Sequence, residues 1–93
     1  MLKFNLGQVV MTNGVANAIK SDKRFANFVS KSFARHCNGD WGNLCEEDKE
    51  MNEMALKHGD DRLFSKYVDG NYDIYIITEW DRSATTILFP DEY

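Results

Sequence analysis

The residue types best suited to chemistry gather in two short segments of this chain. They are His36, Asp40 and Trp41 in RHCNGDWG, and Glu79, Asp81 and Arg82 in TEWDRS. Imidazole and carboxylate groups act as acids and bases when their surroundings separate their pKa values. Tryptophan and arginine, by contrast, are favoured at binding hot spots. The two segments are therefore compatible with a small hydrolase-like enzyme or with a protein-binding surface.

The same residues also have a purely structural interpretation. Arginine–carboxylate forks are common fixtures of loops, and Arg82 can tie Asp81 or the loop carboxylate Asp40. A buried hydrogen-bond network that joins the Asp40-Trp41 loop to the Asp81-Arg82 turn is equally compatible with the sequence. An enzyme requires these groups to converge around an open cleft, whereas a structural network requires them to be buried and paired.

Metal and thiol chemistry would draw on His36, Cys37, Cys45 and His58. Neighbouring ligands at 36 and 37 point about 100° apart on a helix, so they rarely share one ion. The zinc signature of paired CxxC cysteines is absent from the sequence. No sequence context supplies either thiol with a base or an oxyanion hole. We therefore expect no metal, no cofactor and no catalytic cysteine.

Charge is divided unevenly along the chain. Residues 1–36 carry six bases and one acid, a balance of +5, whereas residues 37–93 carry five bases and fourteen acids, a balance of −9. Five of the bases fall along the second predicted helix or just before it: Lys20, Lys23, Arg24, Lys31 and Arg35. A basic helix attracts phosphates, but the isoelectric point near 5.0 argues against nucleic acid as the main partner.

An α+β fold follows from the change of hydrophobic period along the chain. The patterns predict strands at 4–11, 62–68, 72–80 and 84–90, helices at 14–20 and 44–57, and a helix between these two that is capped by Ser21 or Asp22 and ends near Asn38-Gly39. On the third helix, Leu44, Met51, Met54, Ala55 and His58 lean to one side. We expect one domain, 1–93, with the element order β-α-α-α-β-β-β and three helices on one face of a small antiparallel sheet.

The sequence also indicates in which cellular compartment the protein is expected. No run of about 18 apolar residues is present, so we expect no membrane span. The first ten residues lack the apolar core of a signal peptide. Two cysteines in 93 residues are too few for a disulfide scaffold, so a reducing cytoplasm is expected.

Three stretches of the chain form a recognisable pattern: RHCNGDWGNLCEEDKEMNEMAL, GDDRLFSKY and IYIITEWDRSATTILFPDEY. Together they resemble a family of small bacterial proteins of plasmids and other mobile elements, usually labelled "plasmid-related protein". The residues that match the family pattern are Arg35, His36, Gly39, Asp40, Trp41, Gly42, Asp48, Asn52, Arg62, Leu63, Ser65, Tyr67, Thr78, Glu79, Asp81, Arg82, Ser83, Glu92 and Tyr93. The resemblance covers nearly the whole chain, and neither cysteine belongs to it.

The resemblance implies a bacterial, cytoplasmic protein that is accessory to a mobile element, and it carries no reaction or cofactor. The leading hypothesis is a non-enzymatic module that binds a protein partner. Its expected surface is the 39–42 loop with the 79–83 turn, and its six binding residues are His36 and the five polar and aromatic residues of those segments: Asp40, Trp41, Glu79, Asp81 and Arg82. The alternatives are a small hydrolase-like enzyme that uses His36, Asp40 and Glu79 or Asp81, and a nucleic-acid-associated protein.

Overall fold

The structure, a computed structural model that describes residues 3–93, confirms the α+β fold and the predicted element order. The elements are β1 (Gln8–Met11), α1 (Asn13–Ser21), α2 (Lys23–Cys37), α3 (Glu46–His58), β2 (Leu63–Asp69), β3 (Tyr72–Thr78), β4 (Ala84–Leu88) and a final 3-10 turn (Pro90–Glu92). Within residues 3–93, no helix combines the length and the apolar character that crossing a bilayer requires.

The sheet is mixed, with the strand order β1-β4-β3-β2. The last three strands form an antiparallel meander, joined by the short links DGN and DRS. The first strand joins the sheet beside β4, but the two run parallel. Three helices separate β1 from the meander, and a connection of that length allows a parallel neighbour.

The first strand is also shorter than predicted. Gly7 adopts a φ of +64° and its backbone lies against Ser83, so the chain bends there instead of continuing the strand back to Phe4. The Phe4 ring packs against both His36 and Trp41, with centroids 5.4 and 6.2 Å away. Phe4 therefore covers a second small core of Trp41, Ala55 and Leu63, and residues 4–7 do not lengthen β1.

Helices α1 and α2 cover one face of the sheet, and α3 lies against the outer strand β2. Phe25 and Val29 lie one turn apart on the same side of α2, and there they join Ile74, Ile76 and other residues in the main core. Asp22 begins this helix by accepting hydrogen bonds from the backbone N–H groups of Arg24 and Phe25, at 3.0 and 3.2 Å.

Candidate functional site

His36 lies in the interior and not on a surface. Its side chain is fully buried between the rings of Phe4 and Trp41. Both ring nitrogens meet hydroxyl groups from the sheet: Nδ1 lies 2.6 Å from Ser65 Oγ, and Nε2 lies 2.9 Å from Thr78 Oγ1. The imidazole therefore joins α2 to the sheet.

The donor and acceptor roles in this hydrogen-bond network can be assigned by starting from Thr85, its last member. Thr85 donates its hydroxyl proton to the Leu6 carbonyl at 2.7 Å, so it accepts from Thr78, which lies 2.7 Å away. Thr78 has then used its own proton and must accept from Nε2–H of His36, while Ser65 donates to Nδ1. The geometry fits a neutral imidazole whose two nitrogens are both satisfied.

Acid is expected to destabilise the fold through this histidine. Burial lowers the pKa of His36 to about 4, from 6.5. Between these values the unfolded chain binds a proton that the folded chain does not, so stability falls as pH decreases from 6.5 towards 4. The full difference corresponds to about 3 kcal/mol. Urea unfolding at a series of pH values measures this loss.

The Asp40-Trp41 loop is held in place by both of its side chains. The Asp40 carboxylate accepts two hydrogen bonds from Arg35, at 2.7 and 3.1 Å, and this pairing holds the pKa of Asp40 below its usual range. The Trp41 ring is 97% buried, and its indole N–H donates to Glu53 of α3 at 2.6 Å. Asp40 is thus an exposed but paired carboxylate, and Trp41 belongs to the core.

The same loop covers the outer edge of β2. The Lys66 N–H donates to the Trp41 carbonyl at 3.2 Å, and the Asn43 N–H donates to the Lys66 carbonyl at 2.7 Å. On the same edge, the Asn52 side chain of α3 bonds both the N–H and the carbonyl of Phe64, at 3.0 and 2.6 Å. The loop and α3 therefore satisfy backbone groups that would otherwise form an open sheet edge.

Arg82 organises the other polar segment, the 79–83 turn. It has a φ of +60°, and its guanidinium donates to four backbone carbonyls, those of Ala55, Asp61, Glu79 and Trp80, at 2.7 to 3.2 Å. These bonds fasten the turn to the end of α3. Arg82 acts as a structural clamp, whereas the neighbouring Trp80 side chain is 62% exposed.

The structure does not assemble the six predicted binding residues into one surface. His36 and Trp41 are buried, which corrects their prediction as surface residues, and Arg82 is occupied by carbonyls. Asp40, Glu79 and Asp81 are exposed. Within residues 3–93 no hydrogen bond or ion pair runs between the 39–42 loop and the 79–83 turn. The convergence that the hydrolase hypothesis requires is not found there.

The structure also shows where the residues considered for metal, thiol and nucleic-acid chemistry lie. Cys37 is buried and Cys45 is exposed, both as free thiols, and residues 3–93 contain no group of three potential ligands placed to hold a metal. Of the bases on and before α2, Arg35 is committed to Asp40, whereas Lys20, Lys23, Arg24 and Lys31 are exposed. Nucleic-acid binding stays a prediction.

Sequence reasoning missed the most exposed apolar surface on α3. Asn52 and Ala55 form the buried side of this helix, whereas Met51 and Met54 are 61% and 57% exposed. Since they lie three residues apart, the two methionines share one outer side of the helix. The sequence did place both on one side with Ala55, but it did not show that a polar residue, Asn52, faces inward.

Beside Met51 a cavity of about 250 Å³ opens between α3 and the sheet face that α1 and α2 leave uncovered. We call it the α3 pocket. Three rings line it, with centroids 4.7 Å apart for Phe64 and Tyr75, 6.0 Å for Phe64 and Tyr93, and 5.9 Å for Tyr75 and Tyr93. The pocket thus offers an aromatic wall beside an exposed methionine.

Charged groups surround this aromatic wall. Asp48 and Asp61 line the α3 pocket, and neither carboxylate has an ion-pair partner among residues 3–93. Arg62 stands over the rings of Phe64 and Tyr93, 5.5 and 5.4 Å from their centroids, and donates to the Tyr93 hydroxyl. The ring faces therefore already hold one cation, and the two carboxylates add negative charge beside them.

Comparison of the chain with protein-family models, with curated proteins and with solved structures gave no match in any of the three.

Proposed function

We propose that this chain is a non-enzymatic protein-binding module of the bacterial cytoplasm, accessory to a plasmid or another mobile element. Its docking surface consists of Met51, Met54 and the α3 pocket. The occupant is a segment of a partner protein that carries a basic side chain next to apolar ones. The observation that carries this proposal is the aromatic pocket with two unpaired carboxylates beside two exposed methionines.

Size supports a side chain as the occupant of the pocket. Sites for drug-sized ligands and cofactors enclose about 300–1,000 Å³, and the α3 pocket holds about 250 Å³. A single long side chain fits such a volume better than a whole cofactor. The exposed methionines beside it provide adaptable apolar contact for the residues that flank this side chain.

Charge favours a basic occupant. Residues 46–61 carry seven acids and only two bases, Lys49 and Lys57. An arginine or lysine that enters the α3 pocket meets Asp48 and Asp61 and can lie against the ring of Tyr75. An acidic segment would meet like charge on this side of the molecule, so complementarity selects a positively charged partner.

Selection from a random peptide library displayed against the immobilised protein tests the proposal. We expect enrichment of peptides in which arginine or lysine stands beside leucine, methionine or an aromatic residue. Met51→Lys should weaken binding of the selected peptides at least about tenfold, or 1.4 kcal/mol, because it puts a positive charge at the mouth of the pocket that repels their basic side chain.

Val68→Lys is the matched control for this experiment. Val68 is 42% exposed and lies four residues from Phe64 along β2, about 13 Å from the pocket wall. Peptide binding should survive this change. Enrichment of acidic peptides, no enrichment at all, or equal binding by wild type and Met51→Lys would each refute the proposed surface.

A further inference from the structure

The two edge strands of the sheet differ in whether their outward backbone groups are hydrogen-bonded. On β2, the outward backbone groups of Phe64 and Lys66 are bonded by Asn52, Trp41 and Asn43. On β1, at the opposite edge, all four residues are exposed, and among residues 3–93 only β4 pairs with this strand. The fold therefore covers one edge of the sheet and leaves the other bare.

The bare edge presents a defined set of backbone groups. Gln8 and Thr12 direct their N–H groups towards β4, donating to Ser83 and Ile87 at 3.0 and 3.1 Å. Because alternate residues of a strand direct their N–H and C=O groups to opposite sides, Val9 and Met11 point theirs outward. Two donors and two acceptors are thus available to an added strand.

Three of the four side chains on this edge are apolar, and none of them carries a charge. Val9, Val10 and Met11 are 45%, 38% and 41% exposed. Edge strands are commonly protected by short length, a lysine, a proline or a bulge. β1 is short, at four residues, but it contains no charged residue, no proline and no irregularity in its register with β4. Residues 4–19 form a run of sixteen without a single charge.

We propose that β1 pairs antiparallel with β1 of a second copy of this chain. A two-fold axis at Val10 sets Val9 of each copy opposite Met11 of the other, so the four outward donors of the two strands are matched with their four outward acceptors. The two Val10 side chains then face each other. The product is an eight-stranded sheet made from two four-stranded ones.

The absence of charge at this edge permits a second copy to bind there. The net charge of −4 opposes association of two copies wherever like charges meet. The uncharged run 4–19 brings no like charges together, and it offers no charge that would select a basic or an acidic partner instead. This contact is independent of the α3 pocket, so it stands or falls separately from the proposed function.

Sedimentation equilibrium of the full chain tests the proposal with charge-swapped variants. We expect wild type to dimerise with a dissociation constant between about 1 μM and 1 mM. Val10→Lys and Val10→Asp alone should each associate at least tenfold more weakly, because like charges then face each other. An equimolar mixture of the two variants should recover the dimer.

Val68→Lys, on the covered β2 edge, is the matched control and should dimerise as wild type does. A wild type that stays monomeric at about 1 mM, variants that dimerise unchanged, or a mixture that shows no recovery overturns the proposal. If the Val10 variants fail to fold, amide exchange in wild type decides instead. Protection of the Val9 and Met11 amides must rise with protein concentration, and protection that is independent of concentration overturns the pairing.

Discussion

Replacing His36 by alanine is expected to destabilise the fold by about 3–5 kcal/mol, the upper range for loss of a large buried side chain. The change opens a cavity between Phe4 and Trp41. It also leaves the buried hydroxyls of Ser65 and Thr78 without their imidazole partner, and unsatisfied buried polar groups cost about 1–3 kcal/mol each. Urea unfolding followed by tryptophan fluorescence at pH 7 measures the change in free energy of unfolding.

His58→Ala is the matched control for that experiment. His58 is exposed in the last turn of α3, where substitution typically changes stability by about 0.5 kcal/mol or less. If His36→Ala costs no more than His58→Ala, the imidazole is not a structural element. In that case its burial against the sheet would need a functional explanation.

Gly42→Ala is expected to cost about 2–4 kcal/mol, because it adds a steric clash to backbone strain of about 1–2 kcal/mol. Gly42 has a φ of +78°, and a Cβ atom there would lie 2.0 Å from the Lys66 carbonyl oxygen. Relieving the clash requires the loop to leave β2 and give up its bonds to Lys66. Thermal and urea unfolding report this loss.

Gly59→Ala measures the cost of a left-handed backbone conformation without the steric clash that Gly42→Ala adds. Gly59 has a similar φ of +67°, but a Cβ atom there meets no atom of the described chain within 4 Å. We therefore expect only the cost of the left-handed conformation, about 1–2 kcal/mol. Equal losses for the two variants would contradict the role of the loop as the cover of the β2 edge.

Local patterns predicted most of the fold because they depend on neighbours in sequence. The apolar spacing of Phe25 and Val29, the capping position of Asp22 and the turn at Gly70 each reflect short-range chemistry. The parallel pairing of β1 with β4 joins residues more than seventy positions apart, as in Gln8 and Ala84. No local signal fixes such a pairing.

The candidate site was harder to predict because the same polar residue types serve both in functional sites and in buried structural networks. His36 resembles a functional residue in sequence, but its partners Ser65 and Thr78 lie 29 and 42 residues away and turn it into a core residue. Arg82 similarly donates its hydrogen bonds to backbone carbonyls and so has a structural role. An exposed surface is recognised only when burial is known, as for Met51 and Met54.

Methyl NMR of the methionines tests the docking surface most directly. With ¹³C-labelled methionine methyl groups, titration of a short peptide containing arginine between two leucines should shift the signals of Met51 and Met54. The signal of Met11, which lies on β1 at the opposite edge of the sheet, should stay in place. A matched peptide with glutamate in place of arginine should shift neither. A shift confined to Met11, or no shift with the basic peptide, would contradict binding at the α3 pocket.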